Sequence, residues 1–217
     1  LSKYCPRIEF DSYEDFFENF TINIPQNFNF AYDVVDEWAR VEPEKKALVW
    51  VDDNDDRKEF TFSDISRMSN QMANVFWEQG IRKGDVVLMI LRRRWEYWVC
   101  AMALCKIGAT VVPATIQLTR KDIAYRCNLA GVKMMVCVND DYVCEQTELA
   151  LQDAPSVQGK IVCGGEREGW LSFSELIASA SPEWQRPEGD AATHIDDIML
   201  MYFTSGTTGN AKAVEHS

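Results

Sequence analysis

The apolar positions of this chain change period along its length, and from Ser63 onward the change is regular. Ile65, Met68, Met72, Val75 and Phe76 recur at helical spacing behind Ser63, the predicted N-cap, and Gly80 closes the run. Lys83-Gly84-Asp85 then turns the chain into Val86–Leu91, six consecutive apolar residues of the length expected for a buried strand. A helix is predicted from Trp95 to Ile107, ended by Gly108, then a strand over Thr110–Pro113. Thr119 and Asp122 form a capping box for another helix. A strand over Lys133–Val138, a helix over Tyr142–Leu151 stopped by Pro155, and a strand over Lys160–Cys163 follow. Strands alternating with helices at this spacing predict an α/β fold: a parallel sheet flanked by helices.

The flanks are less regular. Ser12 is placed to cap a short helix from Tyr13 towards Phe20, and Ala31–Arg40 puts Val34, Val35 and Trp38 on one helical face before Pro43. Ala47–Val51 and Arg57–Phe62 read as a hairpin across an acidic turn at residues 52–56. That turn lacks the glycine and distal Glu of a calcium-binding EF-hand loop. Ser172, with Glu175 at the box position, is expected to cap another helix, and Ile198–Phe203 to form a strand. The expected organisation is therefore leading helices and hairpin over 1–62, an α/β subdomain over 63–180, a polar connector over 181–197, and a strand and loop over 198–217.

Composition narrows the possibilities. Hydrophobic residues are 47% of 217, enough for a large core, and the longest apolar runs are far shorter than a membrane span. A formal charge of −12 argues against a nucleic-acid or anionic-membrane surface, so anion binding would require a local concentration of positive groups. Seven cysteines, an odd number without Cys-x-x-Cys, read as buried reduced thiols; with two histidines, no metal site built from protein side chains is expected. The N-terminus lacks the order of a secretory signal, which together with the thiols gives a cytoplasmic expectation. Leu1 in place of Met, and an end at Ser217 directly behind a motif, give the expectation of a piece of a longer protein.

That motif is where the chemistry concentrates. Thr204, Ser205, Gly206, Thr207, Thr208, Gly209 and Lys212 place four hydroxyls, two glycines and a lysine within nine residues behind a strand. Glycines let backbone N–H groups converge, hydroxyls add donors and lysine adds charge, a combination suited to polyphosphate. A polar surface turn has similar composition, so composition leaves both open. A Walker A loop is disfavoured: aligned on Gly206, Ala211 occupies the second glycine and Ala213 the Ser/Thr that would hold magnesium.

Tyr202-Phe203-Thr204-Ser205-Gly206-Thr207-Thr208-Gly209-x-x-Lys212 resembles the phosphate loop of the adenylate-forming superfamily of acyl-CoA synthetases, firefly-type luciferases and adenylation domains. Ala211 stands where that loop usually has proline. The resemblance extends to Phe60–Ile65, Gly80–Val87 and Lys106–Thr115. Asn29–Asp36, Asp122-Ile123-Ala124-Tyr125-Arg126 and Glu215-His216-Ser217 are similar to the medium-chain acyl-CoA synthetase branch. The resemblance implies the large N-terminal domain of an adenylate-forming enzyme, cut short. It implies activation of a small carboxylic acid by Mg2+-bound ATP to an acyl-adenylate, followed by transfer to coenzyme A. The seven loop residues would bind the ATP phosphates, with Lys212 the mobile charge. No catalytic residue is assigned within the chain, the family's catalytic lysine falling outside it. An acid–thiol ligase of fatty or other small acids is the implied activity, with a non-CoA acceptor or a non-catalytic nucleotide-binding module as alternatives.

Arg92-Arg93-Arg94 follows the first apolar strand, at the carboxyl end where open α/β sheets bind ligands. It is a candidate for a phosphate of CoA, the competing reading being a solvated turn paired with Glu96 and other acids. Trp95 and Trp98 are expected in the core.

Overall fold

The computed structural model describes residues 3–204 and 211–217. Its elements run α1 (Tyr13–Asn19), a π-helical turn (Ala31–Asp36) leading into α2 (Glu37–Val41), β1 (Lys46–Val51), β2 (Arg57–Thr61), α3 (Phe62–Glu78), β3 (Val86–Ile90) and α4 (Glu96–Ile107). Then come β4 (Thr110–Pro113), α5 (Arg120–Ala130), β5 (Val132–Val138), α6 (Asp141–Leu151), β6 (Gly159–Cys163), β7 (Leu171–Ser172), α7 (Phe173–Ser179), β8 (Leu200–Thr204) and β9 (Lys212–His216). β1 and β2 form a separate antiparallel hairpin, and the other seven strands form one sheet in the order β7-β6-β5-β3-β4-β8-β9. Every pairing in that sheet is parallel except β8 with β9. The expected α/β class is thus the observed one.

β3 lies at the centre because all five of its residues are apolar and buried, which suits a strand covered on both faces. Val87 and Met89 point into a core shared with α3 and α4, while Val86, Leu88 and Ile90 point into a second core with α5 and α6. The chain goes from β3 to β4 on one side, then returns past β3 to β5 on the other. That reversal opens a crevice beyond the carboxyl ends of β3 and β5, the place where such sheets bind ligands.

Several local readings shift by one or two residues for identifiable reasons. The cap of α3 is Thr61, not Ser63: its hydroxyl accepts from the Asp64 N–H at 3.1 Å, and the Asp64 carboxylate accepts from the Thr61 N–H at 3.0 Å. Thr61-x-x-Asp64 closes a reciprocal box that Ser63 cannot. Thr119 and Asp122 make the same box on α5, as expected. Ser172 precedes α7 but its side chain makes no capping bond; its hydroxyl pairs instead with that of Ser174 at 2.9 Å. Trp98 is half exposed, whereas Trp95 stacks on Phe60 with ring centroids 4.9 Å apart.

Buried polar groups tie the leading segment to the sheet. The fully buried Lys106 donates to Asp36 at 2.9 Å and to Asn70, joining α4, the π-turn and α3. Asn29 donates to the Cys105 carbonyl at 2.8 Å and to the Thr193 hydroxyl at 3.0 Å, bringing in the 181–197 stretch. A Cβ at Gly108, which caps α4 with φ +81°, would lie 2.8 Å from the Thr193 methyl, so glycine serves both conformation and space. All seven cysteines are buried as free thiols.

Candidate functional site

β8 runs parallel to β4, so its end at Thr204 emerges on the same carboxyl edge as β3 and β5. β9 returns antiparallel with Thr204 opposite Lys212, and the Thr204 hydroxyl lies 3.5 Å from the Lys212 carbonyl. Both Thr204 and Lys212 are exposed. Of the residues assigned to the phosphate loop, Ser205, Gly206, Thr207, Thr208 and Gly209 lie outside the described residues. What the described residues provide is a two-strand stem whose opposed ends are a hydroxyl and an ammonium.

The stem leans on α5. The Tyr125 hydroxyl donates to the Ala211 carbonyl at 3.0 Å, and the Arg126 guanidinium lies 5.1 Å from the Phe203 ring centroid. On the sheet side Met201 is buried in the second core. On the outer edge the Tyr202 and His216 rings meet edge to face, centroids 5.5 Å apart. The sequence pointed to the loop but not to these supports. Tyr125 and Arg126 were visible only as part of a family-like helix start.

The arginine run is divided in use. It lines a crevice of about 560 Å3 with Trp50, Asp52, Asp53 and Val138, beside the switch in strand order. Arg94 is paired with Glu96, with one bond of 3.0 Å; the carboxylate is almost wholly buried and holds the guanidinium above its ordinary pKa. Gly164 lets Arg94 lie there, since a Cβ on it would come within 2.9 Å of the guanidinium. Arg92, in the left-handed region at φ 51°, pairs with Asp53 at 2.9 Å. Arg93 is exposed, and its carbonyl accepts from the Trp50 indole at 2.7 Å. Two of the three positive charges thus face carboxylates of the chain itself. Among the described residues no cluster of His, Cys, Asp and Glu is arranged to hold a metal ion, and no helix is long and apolar enough to cross a membrane.

A mostly parallel sheet with helices on both faces, ending in the antiparallel β8–β9 pair, defines an open α/β domain. The chain belongs to the AMP-binding enzymes, whose family description it matches over residues 35–217. It is 35% identical to rat acyl-coenzyme A synthetase ACSM5, mitochondrial, covering 89% of this chain and 34% of that protein. It is 36% identical to human acyl-coenzyme A synthetase ACSM1, mitochondrial, with the same coverages. Mouse acyl-coenzyme A synthetase ACSM3, mitochondrial, is 34% identical over 96% of this chain and 36% of its own length. Among solved structures, the anthranilate CoA ligase AuaEII in complex with anthranoyl-AMP superposes with a TM-score of 0.79 at 25% identity, covering 89% of this chain and 35% of that one. The chain therefore spans about a third of the length of the relatives it matches.

The cytoplasmic expectation is overturned by these relatives, each described as mitochondrial. Buried thiols fit any compartment that keeps cysteine reduced, and an organelle address is read from a targeting segment rather than from a folded domain.

Proposed function

We propose that this chain is the phosphate-loop-bearing part of a mitochondrial, AMP-forming acyl-CoA synthetase. The protein would join a small carboxylic acid, of the medium-chain fatty or aromatic kind, to coenzyme A through an acyl-adenylate. The observation that carries the reading is the β8–β9 stem, with Thr204 opposite Lys212 on the carboxyl edge of a sheet belonging to the AMP-binding family. Attack of a carboxylate on the α-phosphate brings an anion onto a tetra-anion, so donors and positive charge must be in place before reaction. Thr204, Ser205, Thr207 and Thr208, with the backbones of Gly206 and Gly209, would supply donors, and Lys212 the charge. Mg2+ would arrive on the nucleotide.

For the acceptor, Arg93 is the member of the arginine run we assign to a CoA phosphate. Arg92 could join it by releasing the exposed Asp53, whereas Arg94 would have to abandon the buried Glu96, a costlier exchange.

The test is carboxylate-dependent ATP–pyrophosphate exchange by the full-length protein, over acids of varied chain length. Exchange with subsequent thioester formation is expected, and Lys212→Ala should lower exchange roughly 10- to 1000-fold. No exchange with any acid would overturn the reading. Exchange without thioester would move the protein to the ligases with another acceptor.

A further inference from the structure

The hairpin that bears the phosphate loop has little core of its own. All five residues of β9 are exposed, and of β8 only Met201 is buried. Two adjacent residues of α5 nevertheless reach its two strands. The Tyr125 hydroxyl holds the Ala211 carbonyl, immediately before β9, and Arg126 lies over the ring of Phe203, one residue before the end of β8. Arg126 is itself fixed, its guanidinium donating to the Asp122 carbonyl at 3.0 Å and lying 3.8 Å from the Asp122 carboxylate.

α5 is a firm support. Its N-terminus carries the Thr119–Asp122 box, Ile123, Ala124 and Cys127 are buried in the second core, and Arg120 pairs with Asp153 at 2.7 Å. The bond to the Ala211 carbonyl holds the peptide plane between Ala211 and Lys212 from outside the hairpin.

We propose that Tyr125 is a positioning residue for the phosphate loop: it sets the exit stem of the loop, Arg126 sets the entry stem, and α5 thereby fixes where the ATP phosphates are met. This rests on the synthetase reading above, and the experiment separates the two. In the full-length protein, Tyr125→Phe keeps the ring and removes only the donor. The KM for ATP in pyrophosphate exchange should rise roughly 2- to 10-fold, the equivalent of one net hydrogen bond. The KM for the carboxylic acid should stay unchanged. Leu129→Ala, at an exposed position on the same helix, controls for a general loosening of α5 and should move neither constant. Hydrogen exchange of the backbone amides of 211–217 should be faster in Tyr125→Phe than in the wild type.

An unchanged KM for ATP in Tyr125→Phe would overturn the proposal, as would equal rises in both KM values or the same rise in Leu129→Ala. A wild-type protein without exchange activity would instead defeat the synthetase reading. Amide exchange would then decide the clamp by itself, equal rates in the two proteins sinking it.

Discussion

β3 and β9 belong to the same sheet and have opposite circumstances. Every residue of β3 is buried between two layers of helices, and every residue of β9 is exposed at the edge. β3 is specified by hydrophobicity alone, since any register other than the observed one would bring polar flanks into the core. β9 has no such specification and is placed by its pairing with β8 and by the Tyr125 contact just before it. The centre of the sheet and its β8–β9 edge are thus held by different forces: area removed from water at the centre, a few directed bonds at the edge. Perturbing the two regions separately should therefore give different kinds of loss.

The largest difference should be seen at alkaline pH, because the buried thiols lie in the core and none lies on the hairpin. Burial pushes up the pKa of Cys100, Cys105, Cys144 and Cys163, and raises Cys127 and Cys137 to about 12. A thiol raised in the folded state contributes stability that is whole below its unfolded pKa, near 9, and is lost as pH climbs towards the folded value. Between those limits the unfolded chain has released protons that the folded chain keeps. Each thiol then weakens folding by about 1.4 kcal/mol per pH unit. The partly buried Tyr32 and Tyr97 shift in the same direction, through desolvation. Lys106 opposes them, since burial lowers its pKa and makes its own contribution grow with pH. One lysine does not offset six thiols. Urea midpoints should fall steeply between pH 9 and 10.5, and a flat profile across that range would show that the thiols do not govern the core's response.

Next in size are paired truncations. Leu88→Ala on the fully buried β3 should cost about 2–5 kcal/mol through lost transfer energy and a residual cavity. Val214→Ala on β9, at 41% exposure, should stay within about 0.5 kcal/mol. Urea midpoints measure both. Similar costs at the two sites would mean that β9 is covered by protein in the whole molecule, and would remove the contrast drawn above.

This contrast also explains which parts were legible in the sequence. The continuous apolar run of β3 and the helical period of α3 announced core elements, because burial writes itself into composition at short range. Strand order did not, since the pairing of β4 with β8 joins residues nearly ninety positions apart, with nothing local to record it. The loop was readable as a motif, whereas its support on α5 was not. Tyr125 and Arg126 are ordinary surface residues of a helix until the hairpin is placed against them. The division of the arginine run was half visible, Glu96 being an evident partner two residues on and Asp53 a partner only through the β1–β2 hairpin.

A subtler asymmetry lies in the polar tie between α4 and the leading segment. Asp36→Ala would leave the fully buried Lys106 ammonium with Asn70 and a carbonyl of Ser66. Because Asp36 is about a quarter exposed, the cost should be about 1–3 kcal/mol, below that of breaking a wholly buried pair. Lys106→Met removes the buried charge and leaves a carboxylate that water can reach, so it should change stability by less than about 1 kcal/mol. Equal urea midpoints for the two variants would show that the attraction itself, rather than the buried charge, sets the cost.

The smallest expected effects are the most discriminating, because two helices carry the same cap in different surroundings. Thr61→Ala on α3 and Thr119→Ala on α5 each remove a hydroxyl that accepts from the N–H of an aspartate three residues on. Each should cost about 1 kcal/mol, the usual value for a lost cap. α3 packs into the first core and has no part in the hairpin, whereas the helix beginning after Thr119 carries Tyr125 one turn and a half inside. Equal losses of stability should therefore have unequal consequences for nucleotide. Thr119→Ala should raise the KM for ATP in the full-length protein modestly, less than Tyr125→Phe does, while Thr61→Ala leaves it where it was. A rise of the same size in both would mean that the edge responds to the stability of the whole domain. A rise confined to Thr119→Ala would locate the coupling in α5, where directed bonds substitute for the core that β9 lacks.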